Sequence, residues 1–203
     1  IHLGKRYEDA VIVKVVSADQ HPDADRLRVC RVDDGGIADV PRDQDGYVQV
    51  VCGAPNAKSG MWAVWLPPGS TVPASFDEKE PFVLSARELR GVMSQGMLAA
   101  ADELGIGTDH EGIVELTEND LKSTEVKLAS GMNFAKTFGL DDHIIDIENK
   151  MFTHRPDLFG QLGVAREIAG ITSQQFASPE WYLNRPEFAK AEGLELLVEN
   201  EAE

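Results

Sequence analysis

"AVIVKVVSADQHPDADRLRVCRVDD", residues 10–34, decides the fold class. Residues 10–18 form a β-branched run of strand length, apolar on both faces. Pro22 and the aspartates beside it then force a turn. From Arg26 onward the residues alternate. Leu27 and Val29 point one way, and Arg26, Arg28 and Cys30 the other, as in a strand with one face buried and one wet.

Outward from this stretch the same pattern repeats. Residues 35–46, "GGIADVPRDQDG", read as a polar, flexible, exposed loop. Residues 47–56 are the next strand, ending at Gly53 and Pro55, and residues 61–70 another, stopped by Pro67, Pro68 and Gly69. Residues 82–91 mix strand and turn signals. Residues 96–105 start extended and turn helix-like from Ala99 to Leu104, with Gly105 as a cap, and residues 112–116 are a last short strand. Five or more short strands with turns between them predict a small barrel or sandwich.

After about residue 118 the character changes. Residues 133–142 predict a short helix ending at Gly139, and "HIIDIEN" (143–149) a strand. Residues 153–171 predict the clearest helix, entered at Pro156, capped by Asp157 and closed at Gly170. Residues 172–192 read as a linker and 194–203 as a strand.

The chain has 203 residues, enough for one or two domains, with 35 acidic and 19 basic side chains. Residues 8–118 hold 9 basic and 20 acidic residues, net −11, which excludes a general nucleic-acid binder. An RNA site in such a chain is a local basic patch. No apolar run reaches 18 residues, so no membrane helix is expected. The start, "IHLGKRYEDA", has neither a signal-peptide core nor an initiator Met, and is read as part of a longer polypeptide. Cys30 and Cys52 are too few for a disulfide framework and read as buried thiols in a reducing cytosol, with a cross-strand disulfide as the alternative.

Candidate sites are few. His21, His110, His143 and His154 are scattered without metal spacing and read as turn and surface residues. No nucleophile elbow and no phosphate-binding Gly-Lys loop occurs, so no catalytic residue and no metal site is predicted. Trp62, Trp65 and Tyr47 read as packing residues, with base stacking as the alternative. The stretch "RELRGVMSQGM" (87–97) differs. Arg87 and Arg90 can fork onto phosphate oxygens, Ser94 and Gln95 are short polar readers, and Met97 is an adaptable apolar contact. Gly91 and Gly96 permit a tight turn.

Three blocks carry a resemblance: "VVSADQHPDADRLRVCRVD" (15–33), "VVCGAPNAKSGMWAVWLPPGS" (50–70) and "ARELRGVMSQGMLAAADELGIGTDHEGIVEL" (86–116). They resemble the tRNA-binding OB-fold module shared by several synthetases and free-standing tRNA-binding proteins. A fourth, "LDDHIIDIENKMFTHRPDLFGQLGVAREIAGIT" (140–172), is similar to the segment that follows this module in the β subunit of bacterial phenylalanyl-tRNA synthetase.

The resemblance implies a mainly β chain with an α+β extension. It would comprise a five-stranded OB-fold barrel over 8–118 and a small α/β scaffold region over 119–175, with residues 1–7 leading in. Residues 176–203 would be a linker and the truncated start of an editing domain. It implies tRNA-facing positions at Lys58 and the Arg90–Met97 block, to which Arg26, Arg28 and Arg87 are added on charge. Pro22, Gly53, Pro55, Gly91, Gly96, Pro156 and Asp157 are structural. The whole synthetase attaches phenylalanine to its tRNA with ATP and magnesium, as a cytoplasmic α2β2 heterotetramer. Adenylate formation belongs to its α subunit. This portion would then hold no catalytic site, cofactor or membrane contact of its own, and its partners would be phenylalanine tRNA and the α subunit. Two rival readings are a free-standing tRNA chaperone and a protein-interaction module for synthetase assembly.

Overall fold

A computed structural model of the chain describes residues 3–121, 126–148 and 150–184. The chain divides into two units, Ile1–Asp146 and Ile147–Glu203. The division falls inside the segment 119–175.

The first unit is built on an antiparallel sheet of β1 (Val11–His21), β2 (Ala24–Asp33), β3 (Val48–Cys52), β4 (Trp62–Leu66), β7 (Met97–Leu98) and β8 (Glu115–Leu116). The order is β3-β2-β1-β4-β7, with β8 also on β4. A separate hairpin pairs β5 (Arg87–Leu89) with β6 (Val92–Ser94). The mainly β expectation therefore stands, with six strands in the sheet rather than five.

The central strands are apolar on both faces because they serve two cores. A strand sends alternate side chains to opposite sides. Val11, Val13 and Val15 of β1, with Ala63 and Trp65 of β4, enter one core together with Cys30, Val32, Val48 and Val50. Ile12, Val64 and Leu66 enter the other, with Tyr7, Leu104 and Phe134. The segment 128–135 lies along β1, where Gly131 N–H donates to the Ile12 carbonyl and Phe134 N–H to that of Ala10, both at 2.9 Å. The predicted short helix is present as α2 (Phe134–Phe138). Asn133 caps its start, and Gly139 ends it in the left-handed region at φ 69°. A shorter helix, α1 (Leu3–Arg6), precedes β1.

β3, at one end of the sheet, is joined by side chains and single backbone bonds, rather than by a ladder, to β6 and Gln95, which lead into β7 at the other end. Gln95 N–H donates to the Gln49 carbonyl at 2.9 Å. Val51 N–H donates to Ser94 Oγ at 2.9 Å, and Gln49 Nε2 donates to the Met93 carbonyl at 2.8 Å. Gly96, at φ 79°, turns the chain from β6 into β7 so close to β4 that a Cβ there would sit 2.1 Å from the Leu66 carbonyl oxygen. Only glycine fits this crossing.

Several expectations are corrected. On β2 the fully buried side chains are Cys30 and Val32, while Leu27 and Val29 are half-buried. Residues 99–104 form no helix. Ala99 N–H donates to Val64, the Ala99 carbonyl accepts from Val114, and Ala100 bridges Ile113, so the sheet takes these groups. Glu103 Oε2 then caps the Ala100 N–H at 2.7 Å, leaving a single turn that ends at Gly105. The loop 35–46 is exposed but pinned. Buried Asp34 accepts a two-pronged bond from Arg42, at 2.6 and 2.9 Å, and bonds from the Gly36 and Ala38 N–H groups. Residues 144–148 form no strand, and Ile144, Ile145 and Ile147 are all exposed.

In the second unit, the predicted helix over 153–171 is broken in two. A 3-10 turn spans Pro156–Phe159, and α3 (Gln161–Ile171) starts afresh with Gly160 at its N-cap. Asp157 does not cap it, because its carboxylate is held by the Arg155 guanidinium at 3.0 and 2.9 Å. That contact holds the carboxyl below its usual range. Gly163 lets α3 press onto the turn: a Cβ there would sit 1.8 Å from the Asp157 carbonyl oxygen. Gly170 lies inside the helix, which ends at Thr172 through a bond from its hydroxyl to the Ile168 carbonyl. A short helix, α4 (Glu180–Leu183), occupies part of the expected linker. The expected strand over 194–203 lies outside the described residues.

Candidate nucleic-acid interface

Two hairpin tips that are far apart in sequence meet at His21. The β1–β2 turn runs through Pro22 and Asp23, and the β5–β6 turn through Arg90 and Gly91. Arg90 and Gly91 have φ values of 47° and 82°, the pattern of a type I′ hairpin turn, which matches the twist of the flanking strands. Gly91 suits such a position at no steric cost, whereas Arg90 is held there with some strain.

His21 stands at the β1–β2 turn, as the sequence suggests, but it is buried, at 2% exposure, and is not a surface residue. It closes β1 and turns inward against the second hairpin. Its Nδ1 accepts from the Asp23 N–H at 3.0 Å, and its Nε2 lies 3.1 Å from the Leu89 carbonyl oxygen. An acceptor facing each N–H and a donor facing each carbonyl require a neutral ring with its proton on Nε2. Arg90 Nη1 adds a second link, donating to the Asp23 carbonyl at 3.4 Å.

These joined tips display arginines. Arg26, Arg87 and Arg90 are exposed, and Arg28 is half-buried with Nη1 donating to the Ala18 carbonyl at 3.3 Å. Among the described residues, none of the four is in an ion pair. Their neighbours elsewhere are committed: Arg6 pairs with Asp77, Arg31 with Asp43 and Asp45, Arg42 with Asp34, and Lys58 with Glu115. Arg31 is held further by the Tyr47 ring, 5.0 Å away. A phosphate must displace the resident carboxylate to engage a paired cation, but it meets an unpaired arginine directly. The patch is not purely positive, since Asp23, Asp25 and Glu88 flank it.

The other expected contacts scatter. Lys58 lies beside the middle of β1, where Ser59 Oγ and Gly60 N–H donate to the Val16 and Val15 carbonyls. That is about 16 Å along the strand from His21, at roughly 3.3 Å per residue. Its ammonium is 2.9 Å from Glu115. Ser94 and Gln95 are buried, at 3% and 7% exposure. The Ser94 hydroxyl accepts from Val51 N–H and donates to the Gly96 carbonyl, and the Gln95 carbonyl accepts from Trp65 Nε1 at 2.8 Å. Both residues hold the sheet ends together instead of facing solvent. Met97 is half-buried against the second core. Trp65 is in the core, and half-buried Trp62 carries the Lys14 ammonium 4.4 Å over its ring.

A family described as "Putative tRNA binding domain" matches residues 10–124. The chain is 39% identical over 175 residues to the phenylalanine–tRNA ligase beta subunit of Nitrobacter winogradskyi, covering 86% of this chain and 20% of that protein. It is 40% identical over 168 residues to the subunit of the same name from Rhodopseudomonas palustris, covering 83% of this chain and 18% of that protein. The chain thus spans about a fifth of the length of these relatives. The solved MetRS-related protein of Pyrococcus horikoshii is a distant likeness, at 17% identity and a TM-score of 0.37 over 60% of this chain and 84% of that one. The match to the family profile spans more than half of the chain and contains both arginine-bearing hairpins; the chain belongs to the tRNA-binding domain family.

Proposed function

We propose that this chain is the non-catalytic tRNA-binding and scaffold portion of a phenylalanine–tRNA ligase β subunit. It engages tRNA phosphates through the joined tips that carry Arg26, Arg87 and Arg90. The observation that carries this reading is the coincidence of the family match with exposed arginines that have no carboxylate partner among the described residues. Two hairpins linked through His21 present these arginines side by side, and guanidinium groups suit phosphate oxygens.

The curled sheet, open between β3 and β7, is read as an OB-type barrel, with residues 8–118 as the RNA-binding domain. Residues 119–175, led into by residues 1–7, serve as scaffold, and residues 176–203 lead toward an editing domain. In the whole synthetase the partner is an α subunit in a cytoplasmic α2β2 complex. That complex uses ATP and magnesium to attach phenylalanine to its tRNA, with adenylate chemistry on the α subunit. The net charge of −16 works against long-range capture of RNA, so this portion orients tRNA that other domains also hold.

An anisotropy titration of labelled phenylalanine tRNA with the chain, at low and near-physiological salt, tests the reading. The expected result is binding that weakens as salt rises. No binding at low salt would overturn it and leave an assembly role.

A further inference from the structure

Beside the β5–β6 hairpin lies a cavity of about 630 Å³, within the ~300–1,000 Å³ range of small-ligand pockets. Val51, Met97 and Leu98 contribute its apolar lining, and Phe82, Arg87 and Glu103 also line it. We infer that this cavity receives an unpaired base of the bound RNA, stacked on Phe82 with its phosphate on Arg87.

Phe82 is the starting point. It is 60% exposed, and it is the one exposed Phe, Tyr or Trp ring among the described residues of the first unit. Its exposure does not come from a loose backbone. Phe82 N–H donates to the buried Ser75 Oγ at 2.8 Å, and its carbonyl accepts from Val72 N–H at 2.8 Å. Val83 bridges Thr71, and Leu84 exchanges backbone bonds with Gly69 and Ser70, both at 2.8 Å. The fold therefore holds a large apolar ring out in water on a pinned extended segment. A ring so placed loses little freedom when a planar ligand stacks on it, and every base offers a π-face.

The charges orient the ligand. Arg87 is the cavity's permanent cation, it is without an ion pair among the described residues, and it continues the arginine patch of the hairpin tips. Glu103 and Glu111 line the cavity as well. They repel phosphate from their side and fix it at Arg87. A duplex keeps its bases stacked inside, so only a single-stranded or looped-out base can enter.

This inference rests on the tRNA reading, and the test separates the two. Binding of the whole chain to a short mixed-sequence single-stranded RNA, to the same strand annealed to its complement, and to tRNA is measured across salt. Phe82→Leu, an exposed change checked by circular dichroism, is expected to weaken single-strand and tRNA binding about tenfold, the loss of roughly one base stack. Duplex binding and the salt slope stay unchanged. Arg87→Gln is expected to lower the single-strand salt slope by about 0.7. Unchanged single-strand binding by Phe82→Leu overturns the inference and is the result a peptide-binding cavity gives. Equal loss for single strand and duplex overturns it too. A wild-type chain silent toward every RNA overturns the tRNA reading, and this inference with it.

Discussion

His21 Nε2 and the Leu89 carbonyl oxygen lie 3.1 Å apart, although the residues are separated by 68 positions in sequence. This bond, with the Asp23 N–H on the other ring nitrogen, sets the distance between the two arginine-bearing tips. His21→Asn keeps an acceptor for the Asp23 N–H but is too short for Leu89, whereas His21→Gln can reach Leu89 but leaves the turn uncapped. Both lose one buried bond, at a cost of about 1–3 kcal/mol in urea unfolding. Only His21→Asn is expected to weaken tRNA binding beyond that shared stability loss. Equal binding by the two variants would show that the link does not position the patch.

Gly96 and Gly91 both have positive φ, but their surroundings differ. Gly96→Ala would drive a methyl group into the Leu66 carbonyl, while nothing lies within 4 Å of a Cβ at Gly91. The expected loss is about 3 kcal/mol or more for Gly96→Ala, and about 1 kcal/mol for Gly91→Ala, which carries only the backbone strain. Denaturant midpoints of the two variants check the ranking.

Arg90 and Lys58 separate a free cation from a committed one. Arg90→Asn removes the charge with a residue that tolerates φ 47°. It is expected to lower the salt slope of tRNA binding by about 0.7–0.9. Lys58→Gln, which only frees Glu115, is expected to leave the slope unchanged. Titrations at three or more salt concentrations decide between them.

Asp34 gives the fold an acid limit. Burial pushes its carboxyl up, but the bonds from Arg42 and the Ala38 and Gly36 N–H groups outweigh that and hold it below the usual range. A carboxylate depressed in the folded state stabilises fully above its unfolded value, about pH 4, and that contribution is lost as pH falls through the depressed value. Asp34→Asn is expected to lower stability at pH 7 and to flatten the fall below pH 4. Thermal midpoints of both proteins across that range measure the difference.

Cys30 is shielded by the first core. Burial, then the neighbouring Cys52, pushes its thiol up to about 12. At pH 8 roughly one molecule in ten thousand carries the thiolate that reacts. Alkylation of Cys30 is expected to be negligible in the native protein and complete in urea. Fast native labelling would mean that the first core opens.

The long strands were legible because β-branched runs and Pro–Gly punctuation act locally, and the two-sided apolar character of residues 10–18 fits the place of β1 between two cores. Local signals misled where other groups competed for the same atoms. Ala99 and Ala100 favour a helix, yet the sheet claims their backbone bonds. Asp157 is a good cap, yet Arg155 holds it. Within the candidate interface, the arginines and turn glycines were visible as residue types in one stretch. That Ser94 and Gln95 face inward was not, because burial depends on β3 arriving alongside.

The sequence by itself determined the long strands of the sheet, the tight turns and the set of cations available to RNA, since these follow from side-chain type and short-range spacing. The tertiary structure alone decided which cations stay free of carboxylates, that His21 joins two remote hairpins, and that Phe82 is held in water over a cavity. Each of these depends on contacts between residues distant along the chain, and no local pattern encodes such a contact.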